Sequence, residues 1–199
     1  MFDWIASFLE SGGALAIAAL MLLENVFPPI PSELIMPLAG FNAARGGTPL
    51  WLAILAGGIG SVLGAWLWYW LGRAVGPVRM RMLIARHGRW LAMNLTEFQQ
   101  AEEWFIRHGR RVVFFARFIP TVRTLISVPA GIERMPQIPF LIYTALGSFI
   151  WSGGLAMAGY LLEDRYEQVE HWVDPLSTAV VISIVVVYVW RVVRWKPDA

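Results

Sequence analysis

The chain of 199 residues is 57% hydrophobic and only 15% charged, with a formal net charge of +2, 11 Trp and 18 Gly. A soluble domain carries roughly 25% charged residues, so this composition excludes an ordinary water-soluble protein and fits an integral membrane protein. Cysteine is absent, which excludes a disulfide framework, a thiolate metal site and a cysteine nucleophile.

The N-terminal stretch carries Asp3 and Glu10 with no early Lys or Arg, whereas a cleavable signal peptide begins with a basic segment, so the start reads as mature sequence. The apolar run 14–27 is short of the about 20 residues that cross roughly 30 Å of hydrocarbon. It meets "PPIP", where proline removes backbone donors, and resumes as "SELIMPLAGFNAA". Residues 50–71 are long enough to span. The connector that follows holds Arg73, Arg79, Arg81, Arg86, Arg89, Arg107, Arg110 and Arg111 against Glu97, Glu102 and Glu103. Within it, "TEFQQAEEWFIRHGRR" predicts an amphipathic interfacial helix capped by Thr96, with Phe98, Ala101, Trp104 and Phe105 on one side. The run 112–119 stops at Pro120 and resumes through "TVRTLISVPAG" to Gly131. Residues 138–162 form a second span. After the acidic segment 163–174 comes a third, 176–190, whose simplest role is an anchor, and then the basic "RVVRWK".

Helices broken at membrane depth survive only where the freed backbone groups are buried in protein or line a wet cavity. Both broken stretches therefore read as re-entrant hairpins, with Pro29, Pro31, Pro120, Gly40 and Gly131 as breaks or gates. They also echo one another. "IPSELIMPLAG" and "IPTVRTLISVPAG" each begin Ile-Pro and close on Ala-Gly, and each is followed by a Gly-Ser, at Gly60 and Gly147, within a Trp/Tyr-rich span. The spacings differ by a few residues. The expected fold is an all-α integral membrane protein: an inverted repeat of two opposed re-entrant helical hairpins, each followed by a transmembrane helix, plus a C-terminal transmembrane helix. It forms a single membrane domain over 1–199, divided into a first half (10–72), a basic connector (73–108), a second half (109–165) and an anchor (175–195). The positive-inside rule puts the connector and the C-terminus in the cytoplasm and 163–174 outside.

Transporters built on inverted repeats place their site where the broken helices meet. The charges available there are Glu24, Glu33, Arg117 and Arg123. An arginine at membrane depth costs about 3 kcal/mol on insertion scales. Buried ion pairs are often no more stabilising than apolar residues of similar volume, so a function explains these four better than a docking role.

Read together, "ENVFPPIPSE" followed by "PLAG", then "FFARFIPTVRTLISVPAGIERM" and "GSFIWSGGLAMAGYLL", resemble the DedA family of bacterial inner-membrane proteins, whose VTT domain is shared with eukaryotic lipid scramblases. The resemblance covers roughly residues 10–165. It implies two opposed re-entrant hairpins and recycling of undecaprenyl phosphate or a related lipid carrier across the inner membrane. It also implies, for other members, proton-dependent roles in drug resistance and pH homeostasis. By motif position the family's essential acids fall on Glu24 and Glu33, and its essential arginines on Arg117 and Arg123. Thr121 stands where a Gly is common in the family.

The chemistry agrees. Arginine presents a planar fork of donors that holds a phosphate bidentately, so Arg117 and Arg123 are the expected phosphate-binding residues and Glu24 and Glu33 the proton-coupling ones. The leading reading is a lipid flippase whose partners are a phospholipid or polyprenyl phosphate, the membrane and protons, with homo-oligomer formation left open. The alternative is a proton-coupled exporter of small cationic compounds, and a third is a structural protein whose charged centre locks the fold. No enzyme is expected: His87, His108 and His171 all lie in polar connectors, leaving neither a catalytic histidine nor a zinc site, and no metal or cofactor is expected. "WSGG" and "GGIGSVLG" read as helix-packing faces rather than a serine nucleophile or a phosphate loop. The basic connector is explained by topology and anionic headgroups, without nucleic acid.

Overall fold

A computed structural model of the chain describes residues 2–26, 32–91, 94–109 and 111–162, with isolated positions 182, 186, 189, 190 and 192–194. The described residues are helical. In order, the elements are α1 (Phe2–Val26), α2 (Ser32–Ala44), α3 (Leu50–Leu91), α4 (Leu95–His108), α5 (Arg111–Ala116), α6 (Pro120–Leu125), α7 (Ser127–Ile132) and α8 (Gln137–Leu161). Three segments are long and apolar enough to cross a membrane: Ser7–Val26, Leu50–Arg89 and Gln137–Leu161.

The first differs from the sequence reading, which began the apolar run at residue 14. The helix continues back to Phe2 through Gly13, whose φ of 53° and ψ of −135° break the regular turn there. Only glycine reaches that backbone conformation cheaply. α3 runs past the expected end of its span until Gly76, at φ 68° and ψ 169°, and Pro77 interrupt it. The predicted amphipathic helix is present as α4, beginning at Leu95, and it buries Phe98 and Phe105. Pro29, Pro31, the acidic segment 163–174 and most of the predicted anchor 176–190 lie outside the described residues.

Exposed leucines and isoleucines recur at every fourth position, at Leu55, Ile59, Leu63 and Leu67 on α3 and at Ile138, Ile142, Leu146 and Ile150 on α8. These stripes face outward, as a lipid-contacting surface requires, and the opposite faces are rich in small residues. Lipid tails are as apolar as leucine, so helices in a bilayer associate through close van der Waals packing, which small residues permit. A methyl group on Gly60 would collide with the Ala18 carbonyl of α1, and one on Gly64 would reach the Leu22 carbonyl and the Asn25 side chain. The "GGIGSVLG" stretch is thus a helix-packing face.

The same device joins the halves crosswise. Gly40 of α2 sits on the Ala156 carbonyl of α8, and Gly159 of α8 on the Pro37 carbonyl of α2. Gly131 of α7 sits on the Tyr69 carbonyl of α3, and Gly72 of α3 on the Val128 carbonyl of α7. α2 runs four residues past Gly40 to Ala44, whereas α7 ends at Ile132, one residue past Gly131. Both glycines are points of backbone contact. Between the spans, Ser61 of α3 donates to Ser148 of α8 at 3.3 Å.

Candidate functional site

The four charged residues singled out in the sequence converge between α1, α2 and the α5–α7 segment. Glu24 lies in the last turn of α1 and is 3% exposed. Glu33 opens α2, its side chain 38% exposed. Arg117 and Arg123 stand on either side of the Pro120 break, at 2% and 5% exposure.

That break is built locally. α5 ends at Ala116 in a tight turn, with the amides of Arg117, Phe118 and Ile119 donating to the carbonyls of Phe114, Phe115 and Ala116 at 3.1, 3.2 and 3.2 Å. Ile119 then turns extended, at φ −108° and ψ 110°, as a residue before proline prefers. Pro120 starts α6 at a position where its missing N–H has no helical partner to lose. Gly147 of α8 makes room for the turn, because a methyl there would meet the Arg117 Cβ at 2.7 Å.

The pairing of charges is unequal. Sequence reasoning set two acids against two bases, but both acids lie on the same arginine. Arg123 Nη2 donates to Glu24 Oε1 at 2.5 Å and stands 3.8 Å from Glu33 Oε1. The Trp151 ring lies 5.8 Å from the Arg123 guanidinium carbon, within cation–π range, and its indole N–H donates to Ser32 Oγ at 3.4 Å. Arg117 has no carboxylate partner among the described residues. Its Nη2 donates to Ser127 Oγ at 2.9 Å and Thr144 Oγ1 at 3.3 Å, while Nε and Nη1 are buried with no acceptor. A buried donor without an acceptor costs about 1–3 kcal/mol, and more when it carries charge. Arg123 Nε is likewise buried without an acceptor.

Behind Glu24, Asn25 is 1% exposed. Its Nδ2 donates to Glu24 Oε2 at 3.0 Å and also lies 3.1 Å from both Ser61 Oγ and the Met21 carbonyl. Its own carbonyl accepts the Trp68 indole N–H at 2.7 Å. Asn25, Ser127 and Thr144 were not named from the sequence, and Gly147 was named only as part of the Gly-Ser echo. Asn25 was the readable one of these, as an amide inside an apolar run beside a carboxylate. Ser127 and Thr144 look like ordinary small residues of membrane helices, and only the fold brings them to Arg117.

Buried charges on broken helices within a membrane domain define a carrier-like site rather than a plain anchor. Residues 30–161 match the VTT domain family model, and the chain belongs to that family, the DedA proteins. It is 31% identical over 96% of its length to undecaprenyl phosphate transporter A of Staphylococcus aureus, covering 94% of that protein. With undecaprenyl phosphate transporter A of Bacillus subtilis it shares 34% identity over 92% of its length and 88% of the relative's. A Lactococcus lactis relative named alkaline phosphatase-like protein is 37% identical over 95% of the chain and 89% of the relative. No solved structure matches.

Proposed function

We propose that this protein carries undecaprenyl phosphate, or a closely related phosphorylated lipid, across the bacterial inner membrane, with Arg117 as the principal phosphate contact. One observation carries the reading. Among the described residues Arg117 is fully buried, tethered only by neutral hydroxyls, and holds two N–H groups without acceptors. A phosphate monoester supplies the missing acceptors and the missing negative charge, while its prenyl tail stays in lipid.

Arg123 is the second contact, and it is shared. With the site empty it holds Glu24 and Glu33; an arriving phosphate competes for the same guanidinium and leaves the carboxylates without their counter-charge. They then take up protons, and because linkage is reciprocal, proton supply and phosphate binding favour one another. A proton-coupled exporter of cations would instead present a carboxylate as its central unpaired charge, whereas the buried group without a counter-ion here is an arginine.

The reading includes the inverted repeat, with Pro29, Pro31 and Pro120 as breaks in two opposed hairpins. The crosswise glycine contacts support it. Ser61 and Ser148 are separated by 87 residues, and Tyr69 and Ala156, like Gly72 and Gly159, keep the same spacing. Pro37 and Val128 share a common spacing with Gly40 and Gly131. Residues that touch their own counterparts, as the two serines do, belong near a pseudo-two-fold axis. A cytoplasmic C-terminus agrees with the 3.3 Å bond from Arg89 Nε in the basic connector to the Val192 carbonyl.

Reconstitution into liposomes with labelled undecaprenyl phosphate tests the function: transbilayer movement is expected, and protein-free rates would refute it. For topology, Arg86→Cys and Gln168→Cys in this cysteine-free chain should label from opposite faces, Gln168→Cys from outside.

A further inference from the structure

The amide of Asn25 is placed to do more than fill space. It sits at the end of α1 with its carbonyl fixed by the Trp68 indole and its side chain reaching both Glu24 Oε2 and Ser61 Oγ. The space it occupies exists because α3 has glycine at position 64, where a methyl would meet the Asn25 Cβ at 2.5 Å. Beyond Ser61 the chain of hydrogen bonds reaches Ser148 on α8. Glu24 is therefore gripped on both oxygens, Oε1 by Arg123 and Oε2 by the Asn25 amide.

We propose that Asn25 is a positioning residue for Glu24: it holds the carboxylate toward Arg123 and, as the donor that remains when phosphate takes Arg123, sets the pH at which Glu24 accepts its proton. The inference rests on the proton-coupled reading of the site and assigns a role to a residue outside the four charges. Among the described residues, every other charged group facing Glu24 belongs to that set. These are Arg123 from α6, Arg117 from the turn before it, and Glu33 from α2. From α3 the Ser61 hydroxyl and the Trp68 indole reach this point, and from α8 the Ser148 hydroxyl. An N–H donor favours the ionised carboxylate over the protonated one, which needs an acceptor for its own proton. The Asn25 amide thus keeps Glu24 charged to lower pH than Arg123 alone would. Ser61 fixes the amide's rotation so that its nitrogen, and not Oδ1, meets the carboxylate.

The test is an infrared titration of the protein in lipid nanodiscs, with and without undecaprenyl phosphate, the Glu24 carboxyl band being identified by its loss in Glu24→Gln. Asn25→Leu, which keeps the number and branching of side-chain heavy atoms, removes the donor and should raise the midpoint of Glu24 protonation by about one to two pH units, the worth of one hydrogen bond to a charged group. Ser61→Ala leaves the amide in place but frees its rotation, and should raise the midpoint by less. In proteoliposomes the pH profile of transport should move to higher pH by the same amounts. Unmoved midpoints in both variants would overturn the role of Asn25 while leaving the transport reading intact. A flat transport profile in the unmodified protein, beside a shifted infrared midpoint, would instead remove the proton coupling and keep Asn25 as the residue that sets Glu24.

Discussion

In the first half of the molecule the arm α2 rests on α8 through Gly40 and Gly159, and in the second the arm α7 rests on α3 through Gly131 and Gly72. What surrounds these two joints differs. Around α2 the buried side chains are Ile17, Leu20, Met21, Ile35 and Met36, all 0% exposed. A methyl on Gly57 would meet the Met36 sulfur at 2.5 Å. The corresponding places in the second half, by the spacings above, are Ser127 for Met36 and Thr144 for Gly57, and both of their hydroxyls hold Arg117. Backbone contacts between small residues are indifferent to the polarity of their neighbours, so on the proposed repeat one joint serves twice while the cations stand on one side only. The first half supplies the carboxylates, the second the guanidiniums, and the site is the seam.

The largest effect should come from breaking the cationic side. Arg117→Lys retains charge but loses the planar fork and the reach to Ser127 and Thr144 together. Headgroup movement in proteoliposomes should fall about 10- to 100-fold, the worth of one or more hydrogen bonds to a charged group. Arg123→Lys should also lose transport, because a single ammonium cannot hold Glu24, Glu33 and an arriving phosphate with the guanidinium's fork of donors. Met36→Leu, at the matching place in the first half, should leave transport close to unchanged. Normal transport by Arg117→Lys would remove the phosphate fork from the mechanism.

The joints themselves should break alike. A methyl on Gly40 or Gly131 lands on a backbone carbonyl that no side-chain rotation can move away. Gly40→Ala and Gly131→Ala should each destabilise by about 1–3 kcal/mol, the usual cost of forcing a packed contact apart. Thermal unfolding in detergent checks both. Equal losses support the repeat, whereas a loss at only one glycine would show that the joints are unrelated.

Much of this comparison is legible in the sequence, because proline and charge leave strong local marks. Pro120 announces the break before α6, and Glu24, Glu33, Arg117 and Arg123 stand out against apolar surroundings. The echo of "PLAG" and "VPAG" marks the two arms. The crosswise docking is not legible, because a glycine in a helix does not say which neighbour approaches it. The choice of Arg123 as partner for both acids depends on distances of a few ångströms between distant segments. The continuation of α1 through Gly13 was also hidden, since a Gly-Gly pair beside a serine reads as an interruption and the chain passes through it with one unusual residue.

Ser127→Ala sharpens the comparison more gently, since it moves the second half one hydroxyl toward the apolar first. Arg117 Nη2 keeps Thr144 Oγ1 at 3.3 Å but loses its closer partner at 2.9 Å. Transport should fall by about 3- to 10-fold, the worth of one ordinary hydrogen bond. Thr at position 127 should restore it, because a hydroxyl and not a particular side chain is what holds the guanidinium. Failure of Ser127→Thr to recover activity over Ser127→Ala would mean that the space, rather than the hydrogen bond, matters there.

The smallest effect is expected just past the second arm, a place with no charged counterpart in the first. Just past α7, Glu133 lies beside Glu102 of α4, which Arg81 of α3 holds at 2.7 Å; by the same spacing the first arm has Asn42. Burial, and after it the neighbouring Glu102 carboxylate, hold the Glu133 carboxyl above its ordinary value of 4.5, with Arg81 pulling the other way. A carboxyl raised in the fold binds its proton more tightly folded than unfolded. Its stabilising contribution is therefore fully present below 4.5 and is lost as pH rises through the raised value. The contact between α4 and the end of α7 should accordingly loosen as pH climbs out of the acid range, and amide exchange along α4, corrected for its intrinsic pH dependence, should report it. Glu133→Gln stays neutral throughout and should flatten the profile, while exchange along α2 should show no such step in either protein. A step that persists in Glu133→Gln would rule out Glu133 as its source.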